Sequence, residues 1–107
     1  MRTKILIFIF LGLILFGCKK DKMPAASNEV WMNNMLFSPS TITVSAGTTI
    51  KWTDKESVTH TVTSDNGLFD SGDMKNGNTF SYTFSSTGTF PYHCKYHADM
   101  KASVVVQ

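Results

Sequence analysis

The stretch Gly88-Thr89-Phe90-Pro91-Tyr92-His93-Cys94-Lys95-Tyr96-His97-Ala98-Asp99-Met100 joins a strand pattern to three side chains that bind soft metals. In its first half, Phe90, Tyr92 and Cys94 occupy every second position, which predicts a β-strand with one buried face. In its second half, a thiol, an imidazole and a thioether follow one another at Cys-x2-His-x2-Met spacing. The stretch therefore predicts a β-protein whose last hairpin carries most of a metal site.

A period of two continues through much of the chain after residue 27. The alternating apolar sets are Ile42 and Val44; Ile50 and Trp52; Val58, His60 and Val62; Phe80, Tyr82 and Phe84; and Ala102, Val104 and Val106. Clusters of Gly, Asn, Asp and Ser separate these sets and are typical of turns. Six or seven short strands without a long helical pattern predict an all-β fold, an antiparallel β-sandwich. Residues 64–79 lack the period and are expected to form a short helix or an irregular flap.

A second histidine, His60, adds a fourth possible donor from a different part of the chain. In Val58-Thr59-His60-Thr61-Val62 it shares the predicted inward face with the two valines. Taken singly, His60 is more simply explained as a hydrogen-bonded core histidine, and Cys94 as a small buried apolar residue. Alternation turns His93 to the opposite face, so it is predicted not to be a ligand.

The donor chemistry selects the metal. Two imidazoles, a thiolate and a thioether suit copper in both oxidation states. A thioether is a poor ligand for zinc, and calcium and magnesium require oxygen donors. The sequence therefore predicts one ion, cycling between Cu(I) and Cu(II), with these four ligands: His60, Cys94, His97 and Met100.

The N-terminal segment predicts export. Met1-Arg2-Thr3-Lys4 is basic and residues 5–16 are apolar, a run shorter than the roughly 20 residues of a membrane-spanning helix. Leu15-Phe16-Gly17-Cys18 resembles a bacterial lipobox, in which the cysteine is acylated; an uncleaved N-terminal anchor is the alternative. The expected location is periplasmic, lipid-anchored to a bacterial membrane. The predicted segments are a signal peptide (1–17), a lipidated N-terminus with linker (18–27) and a copper-binding domain (28–107).

Charge and cysteine content further limit the classes of function expected for this chain. The 107-residue chain has a formal net charge of +2, and removing residues 1–17 takes away Arg2 and Lys4, leaving eight basic and eight acidic residues. Without a basic stripe, nucleic-acid binding is not expected. If Cys18 carries lipid, Cys94 has no disulfide partner and is available as a thiolate.

These residues resemble the cupredoxins, the small blue copper proteins, in the branch of plastocyanin, pseudoazurin and amicyanin. The similarity runs over about residues 37–106, and the short Cys-x2-His-x2-Met loop has the amicyanin spacing. The quoted segments that carry it are Phe37-Ser38-Pro39, Ile42-Thr43-Val44, Gly47-Thr48-Thr49-Ile50-Lys51-Trp52, Val58-Thr59-His60-Thr61-Val62, Phe69-Asp70-Ser71-Gly72 and Gly88-Thr89-Phe90-Pro91-Tyr92-His93-Cys94.

The resemblance implies a Greek-key sandwich with a type 1 copper site that carries single electrons. It also implies that His97 is the electron port, since the corresponding ring edge faces solvent in the family. Many relatives carry Asn directly after the first histidine ligand, where it braces the two ligand-bearing loops. This chain has Thr61 there, whose backbone N–H can still donate to the Cys94 sulfur.

The predicted function is a monomeric electron shuttle between exported or membrane redox partners, such as a cytochrome, an oxidase or a reductase. Docking is expected to be transient and to use a small face. That face is expected to include Tyr96, His97, Ala98 and Met100, with Met35, Pro39 or Met74 as further contributors. Two alternatives are a copper carrier, suggested by the frequent methionines, and a metal-free structural sandwich. An enzyme is not expected, because a filled coordination shell offers substrate no position.

Overall fold

Eight strands form the framework of residues 28–107, the part of the chain that the computed structural model describes. They are β1 Glu29–Asn33, β2 Leu36–Ser38, β3 Thr41–Val44, β4 Thr48–Asp54, β5 Thr63–Ser64, β6 Thr79–Phe84, β7 Gly88–Cys94 and β8 His97–Val106. Residues 28–107 contain no helix, and so none that is long and apolar enough to cross a membrane. The predicted signal peptide, the linker and Cys18 lie outside the described residues.

The strands pack as two four-stranded sheets, with strand orders β2-β1-β4-β6 and β3-β8-β7-β5. The predicted all-β sandwich is confirmed, and most of its strand pairs are antiparallel as expected. Both sheets are mixed, because β1 runs parallel to β4 and β3 runs parallel to β8. Parallel neighbours need a connection of about a dozen residues or more. Between β1 and β4, and again between β3 and β8, the chain crosses to the other sheet and back before it forms the parallel neighbour.

The core lies between the sheets and is built from the inward side of each alternating strand. Trp52 on β4 is fully buried, and its ring meets the Tyr92 ring of β7 edge-on at 5.5 Å between centroids. Phe69 and Phe84 pack against the same indole, with ring centroids 5.8 and 6.4 Å away. Aromatic pairs of this kind stabilise a core beyond their buried area. This cluster joins the two sheets directly beneath Cys94, which follows Tyr92 by two positions on β7.

The segment before β5 differs from the strand that its alternation predicted. Val58 is exposed, whereas His60, Thr61 and Val62 are all fully buried. Three consecutive buried residues do not fit a strand with one wet face. This segment instead crosses one end of the sandwich, and an isolated bridge joins His60 to Met74. Residues 64–79 contain no helix and form the irregular flap, apart from the last residue of β5 and the first residue of β6 at its ends.

Candidate metal centre

Three of the predicted ligands converge at one end of the sandwich. The donor atoms of His60, Cys94 and His97 all lie within 4.8 Å of one another. Cys94 Sγ is 3.8 Å from His60 Nδ1 and 3.3 Å from His97 Nδ1. A thiolate and an imidazole that share one tetrahedral or trigonal ion stand about 3.5–3.7 Å apart, from bond lengths of about 2.3 and 2.0 Å. The spacing of the sulfur and the two nitrogens therefore fits a single ion.

The β7–β8 hairpin holds two of these donors close together. Cys94 is the last residue of β7 and His97 is the first of β8, and the two are register partners across the turn Lys95–Tyr96. A register shift between His93 and Cys94 marks the point where the hairpin reaches the end of the sheet. The short sequence spacing thus becomes a short distance, because only two residues separate the paired strands.

Met100 and His93 occupy opposite environments around the hairpin. Met100 lies on β8 three positions after His97 and is 1% exposed, facing inward like Ala102 and Val104. The His93 side chain is 37% exposed, and its Nδ1 lies 2.5 Å from the Asp65 carboxylate. His93 therefore stands outside the His-Cys-His group, while Met100 lies on the buried side of the same hairpin.

The Cys94 sulfur is buried and hydrogen-bonded. Cys94 is 2% exposed, and the backbone N–H of Thr61 donates to its Sγ at 3.4 Å, as the sequence led us to expect. This hydrogen bond ties the backbone that follows His60 to the sulfur of Cys94, so the protein itself fixes the position of the sulfur.

The Thr61 side chain braces the two ligand-bearing segments. Its Oγ1 accepts a hydrogen bond from the backbone N–H of Lys95 at 2.9 Å and lies 2.8 Å from Thr63 Oγ1. Thr61 follows His60, and Lys95 follows Cys94. A hydroxyl group thus links the His60 segment to the hairpin turn, although the asparagine common in relatives is missing here.

Glu56 fixes the orientation of His60, although no motif in the sequence marks this residue. Its carboxylate lies 2.6 Å from His60 Nε2 and accepts hydrogen bonds from the N–H groups of Asn34 and Met35, both at 3.0 Å. Since a carboxylate only accepts, Nε2 carries the proton and Nδ1 turns its lone pair toward Cys94. Partial burial opposes ionisation, but the bonds from His60, Met35 and Asn34 outweigh it and lower the pKa of Glu56.

An acidic residue four positions before a ligand histidine was the available signal for Glu56. In the sequence, Glu56 lies in Asp54-Lys55-Glu56, a polar segment between two alternating sets that is typical of a turn. The orienting role of Glu56 follows from the groups that its carboxylate contacts, and not from its distance to His60 along the sequence. Glu56 joins the β1–β2 turn, which contains Asn34 and Met35, to the imidazole of His60.

Among the three clustered residues, His97 lies closest to solvent. His60 and Cys94 are buried, at 0% and 2% exposed, whereas His97 is half-buried. Exposed apolar side chains in the described residues include Met35, Leu36 and Tyr96, which are 40%, 58% and 49% exposed. The expectation that Met74 and Met100 contribute to a docking face is wrong, since both are buried. The backbone of Met74 pairs with His60, and Met100 faces the core from β8.

Comparisons with known proteins agree with this geometry. A family model described as a cupredoxin-like domain matches residues 5–106. Amicyanin-alpha of Methylorubrum extorquens is 33% identical over 92 residues, covering 81% of this chain and 77% of that protein. Plastocyanin of Scenedesmus fuscus is 31% identical over 86 residues, covering 68% of this chain and 88% of that protein.

Solved structures give the same picture. A variant of amicyanin in its Cu(I) form superposes with a TM-score of 0.71 at 27% identity, covering 81% of this chain and 94% of that chain. A purple cupredoxin from Nitrosopumilus maritimus gives a TM-score of 0.68 at 27% identity, covering 74% of this chain and 98% of that chain.

Proposed function

This chain belongs to the cupredoxin family, in the branch that contains amicyanin and plastocyanin, and from that membership we propose that it carries single electrons on one copper ion. Bound copper supplies the one-electron chemistry by alternating between Cu(I) and Cu(II). The observation that carries the proposal is the convergence of one sulfur and two Nδ1 atoms within 4.8 Å. The ion would be held by His60, Cys94 and His97, with the thioether of Met100 as a weaker fourth donor.

The protein around these ligands suits electron transfer because it fixes them independently of the metal. Glu56 holds the His60 ring, and Thr61 holds both the Cys94 sulfur and the following turn. Outer contacts of this kind orient ligands and tune the properties of the site. Ligands held in this way have little need to move when the oxidation state changes, which favours rapid exchange.

We propose His97 as the electron port. His97 is half-buried, whereas the His60 ring and the Cys94 sulfur belong to buried residues. Tyr96 and Ala98 flank it in sequence and are exposed. Transient electron-transfer partners bury little area, so a small apolar face around one exposed ring edge is sufficient. A cytochrome, an oxidase or a reductase of the same compartment is the proposed class of partner.

The burial of the methionines favours a shuttle over a copper carrier. Met32, Met74 and Met100 are 0%, 2% and 1% exposed, and of the methionines in residues 28–107 Met35 alone is substantially exposed, at 40%. Handing Cu(I) to an oxidase or reductase calls for accessible thioethers, and these side chains are enclosed by the core. The proposal also assigns no enzymatic reaction, because four protein ligands leave substrate no coordination position.

We further propose that the protein is exported to the periplasm and works as a monomer. The lipobox-like Leu15-Phe16-Gly17-Cys18 supports cleavage after residue 17 and lipid attachment at Cys18. Residues 18–27 then form the tether, and residues 28–107 form the cupredoxin domain at the surface of a bacterial membrane.

The test combines copper titration with one pair of matched variants. Purified protein should bind one equivalent of Cu(II) and develop an intense thiolate-to-copper charge-transfer band. His97→Ala should keep the fold but slow electron self-exchange by roughly 10²-fold, the cost of misplacing a reacting group. His93→Ala removes a neighbouring histidine outside the cluster and should leave exchange unchanged.

Three results would contradict the proposal. Stoichiometric copper binding without the charge-transfer band, with ready release of Cu(I), would indicate a carrier. Unchanged self-exchange in the His97→Ala variant would remove His97 as the port. A folded protein that ignores copper would refute the metal site itself.

A further inference from the structure

Lys95 and Tyr96 form the two-residue turn that carries the proposed ligands. In hairpin turns of types I′ and II′, one or both central residues have positive φ, which matches the twist of the paired strands. In the described part of the chain, positive φ outside glycine occurs at Asn34 (56°) and Met35 (63°), the turn between β1 and β2. Lys95 and Tyr96 are not among these residues, so their turn is of neither type, and side chains of other segments contact it on both sides.

A side-chain hydrogen bond supplies one such contact on the exposed side. The hydroxyl of Tyr96 donates to Asp73 Oδ1 at 2.6 Å. Lys95 Nζ lies 5.3 Å from the centroid of the Tyr96 ring. The Tyr96 side chain is thus held at its hydroxyl end and contacted by a cation on its face.

Asp73 is itself fixed relative to His60. It precedes Met74, whose N–H donates to the His60 carbonyl at 2.8 Å and whose carbonyl accepts from the His60 N–H at 3.0 Å. The Tyr96–Asp73 bond therefore connects the hairpin turn to a segment that is paired with the backbone of His60. Thr61 makes the corresponding connection on the buried side through Lys95 N–H.

We propose that Tyr96 and Asp73 form a positioning latch that holds His97 at a fixed separation from His60. Neither residue is a ligand in the proposed copper site. The latch acts through the turn, tying its exposed side while Thr61 ties its buried side. It restricts His97 in the metal-free protein as well as in the copper-loaded one. Only its spectroscopic consequence rests on the proposed copper function.

The first test uses metal-free protein and amide hydrogen exchange. Tyr96→Phe and Asp73→Ala should each speed exchange at the Lys95 amide by about two- to tenfold, the effect expected for one lost side-chain hydrogen bond. The double variant should exchange no faster than the faster single variant, because both changes remove the same bond. Asp73→Asn keeps an acceptor oxygen and should restore much of the protection.

Two controls match these changes in chemistry. Tyr82→Phe removes a tyrosine hydroxyl from β6, and Asp99→Ala removes an exposed carboxylate two positions after His97. Neither should alter exchange at Lys95. If Asp99→Ala speeds amide exchange at Lys95 as much as the latch variants do, then negative charge near the turn, and not the latch, controls that exchange. Additive effects of Tyr96→Phe and Asp73→Ala would likewise overturn the proposal.

The second test uses Cu(II)-loaded protein. Tyr96→Phe and Asp73→Ala should shift the copper hyperfine splitting in spin-resonance spectra and the relative intensities of the charge-transfer bands, while both controls retain the wild-type spectrum. An unchanged spectrum in both latch variants would overturn the assignment of a positioning role. If the wild-type protein shows no charge-transfer band, the proposed function fails, and the metal-free exchange measurement still decides whether the latch exists.

Discussion

Thr61→Val tests whether a hydroxyl group braces the two ligand-bearing segments. Valine keeps the shape of the fully buried threonine and leaves the backbone N–H to the Cys94 sulfur in place. It removes the oxygen that accepts from Lys95 N–H at 2.9 Å. The Thr63 hydroxyl also loses a partner, but it keeps its donation to Asp70 at 3.3 Å. The Lys95 N–H is thus the group that the substitution leaves without its partner.

The expected cost follows from the surroundings of that donor. A buried donor left without a partner costs about 1–3 kcal/mol. Lys95 is an exposed turn residue, so water can reach its amide and the cost should lie at the lower end. We expect the free energy of unfolding to fall by about 1 kcal/mol, which for a domain of this size lowers Tm by about 4–8 °C.

Stability alone does not isolate the hydrogen bond, because the natural control also costs energy. Thr61→Ser keeps the hydroxyl and removes one buried methyl group, worth about 0.8 kcal/mol. The two variants should therefore unfold at similar temperatures. Amide exchange at Lys95 separates them, since protection should be lost in Thr61→Val and kept in Thr61→Ser. Wild-type protection at Lys95 in the Thr61→Val variant would refute the bracing role.

Alternation predicted which side chains are buried far better than it predicted how the strands pair. Trp52, Tyr92, Cys94 and Val104 all lie on the expected inward face. A period of two records only which face of a strand is apolar, so it contains no information on strand direction. The parallel pairs of β1 with β4 and β3 with β8 arise from connections that cross between sheets, and the pattern of one strand does not reveal them.

The candidate site also combines residues that the sequence predicted with contacts that it did not. Cys94 and His97 were predictable because two intervening residues fix their distance, whatever the rest of the fold does. His60 was placed correctly by alternation, although its segment crosses the end of the sandwich and buries Thr61 as well. Contacts between distant segments carry no comparable signal. The Tyr96–Asp73 bond joins residues 23 positions apart, and its formation depends on how the flap packs against the hairpin.

Two further predictions concern the carboxylates near His60. Glu56→Ala should weaken copper binding by about 10–100-fold in chelator competition, because the His60 ring loses its orienting partner; Glu29→Ala is the control, and equal affinity in both variants would contradict the role. The second prediction concerns Asp54, which is fully buried. Burial is the main cause that raises the pKa of its carboxyl, and the Glu56 carboxylate raises it further by a smaller amount. The hydrogen bond from the Glu56 N–H and the presence of His60 act in the opposite direction. Between pH 3.8 and that raised value, folded protein holds a proton that the unfolded chain has released, so Asp54 makes stability fall as pH rises through this window. Asp54→Asn can still accept from the Glu56 N–H but does not titrate. In denaturant unfolding of metal-free protein, its stability relative to wild type should therefore rise with pH across the window, and a constant difference between the two proteins would show that Asp54 titrates alike in the folded and unfolded chains.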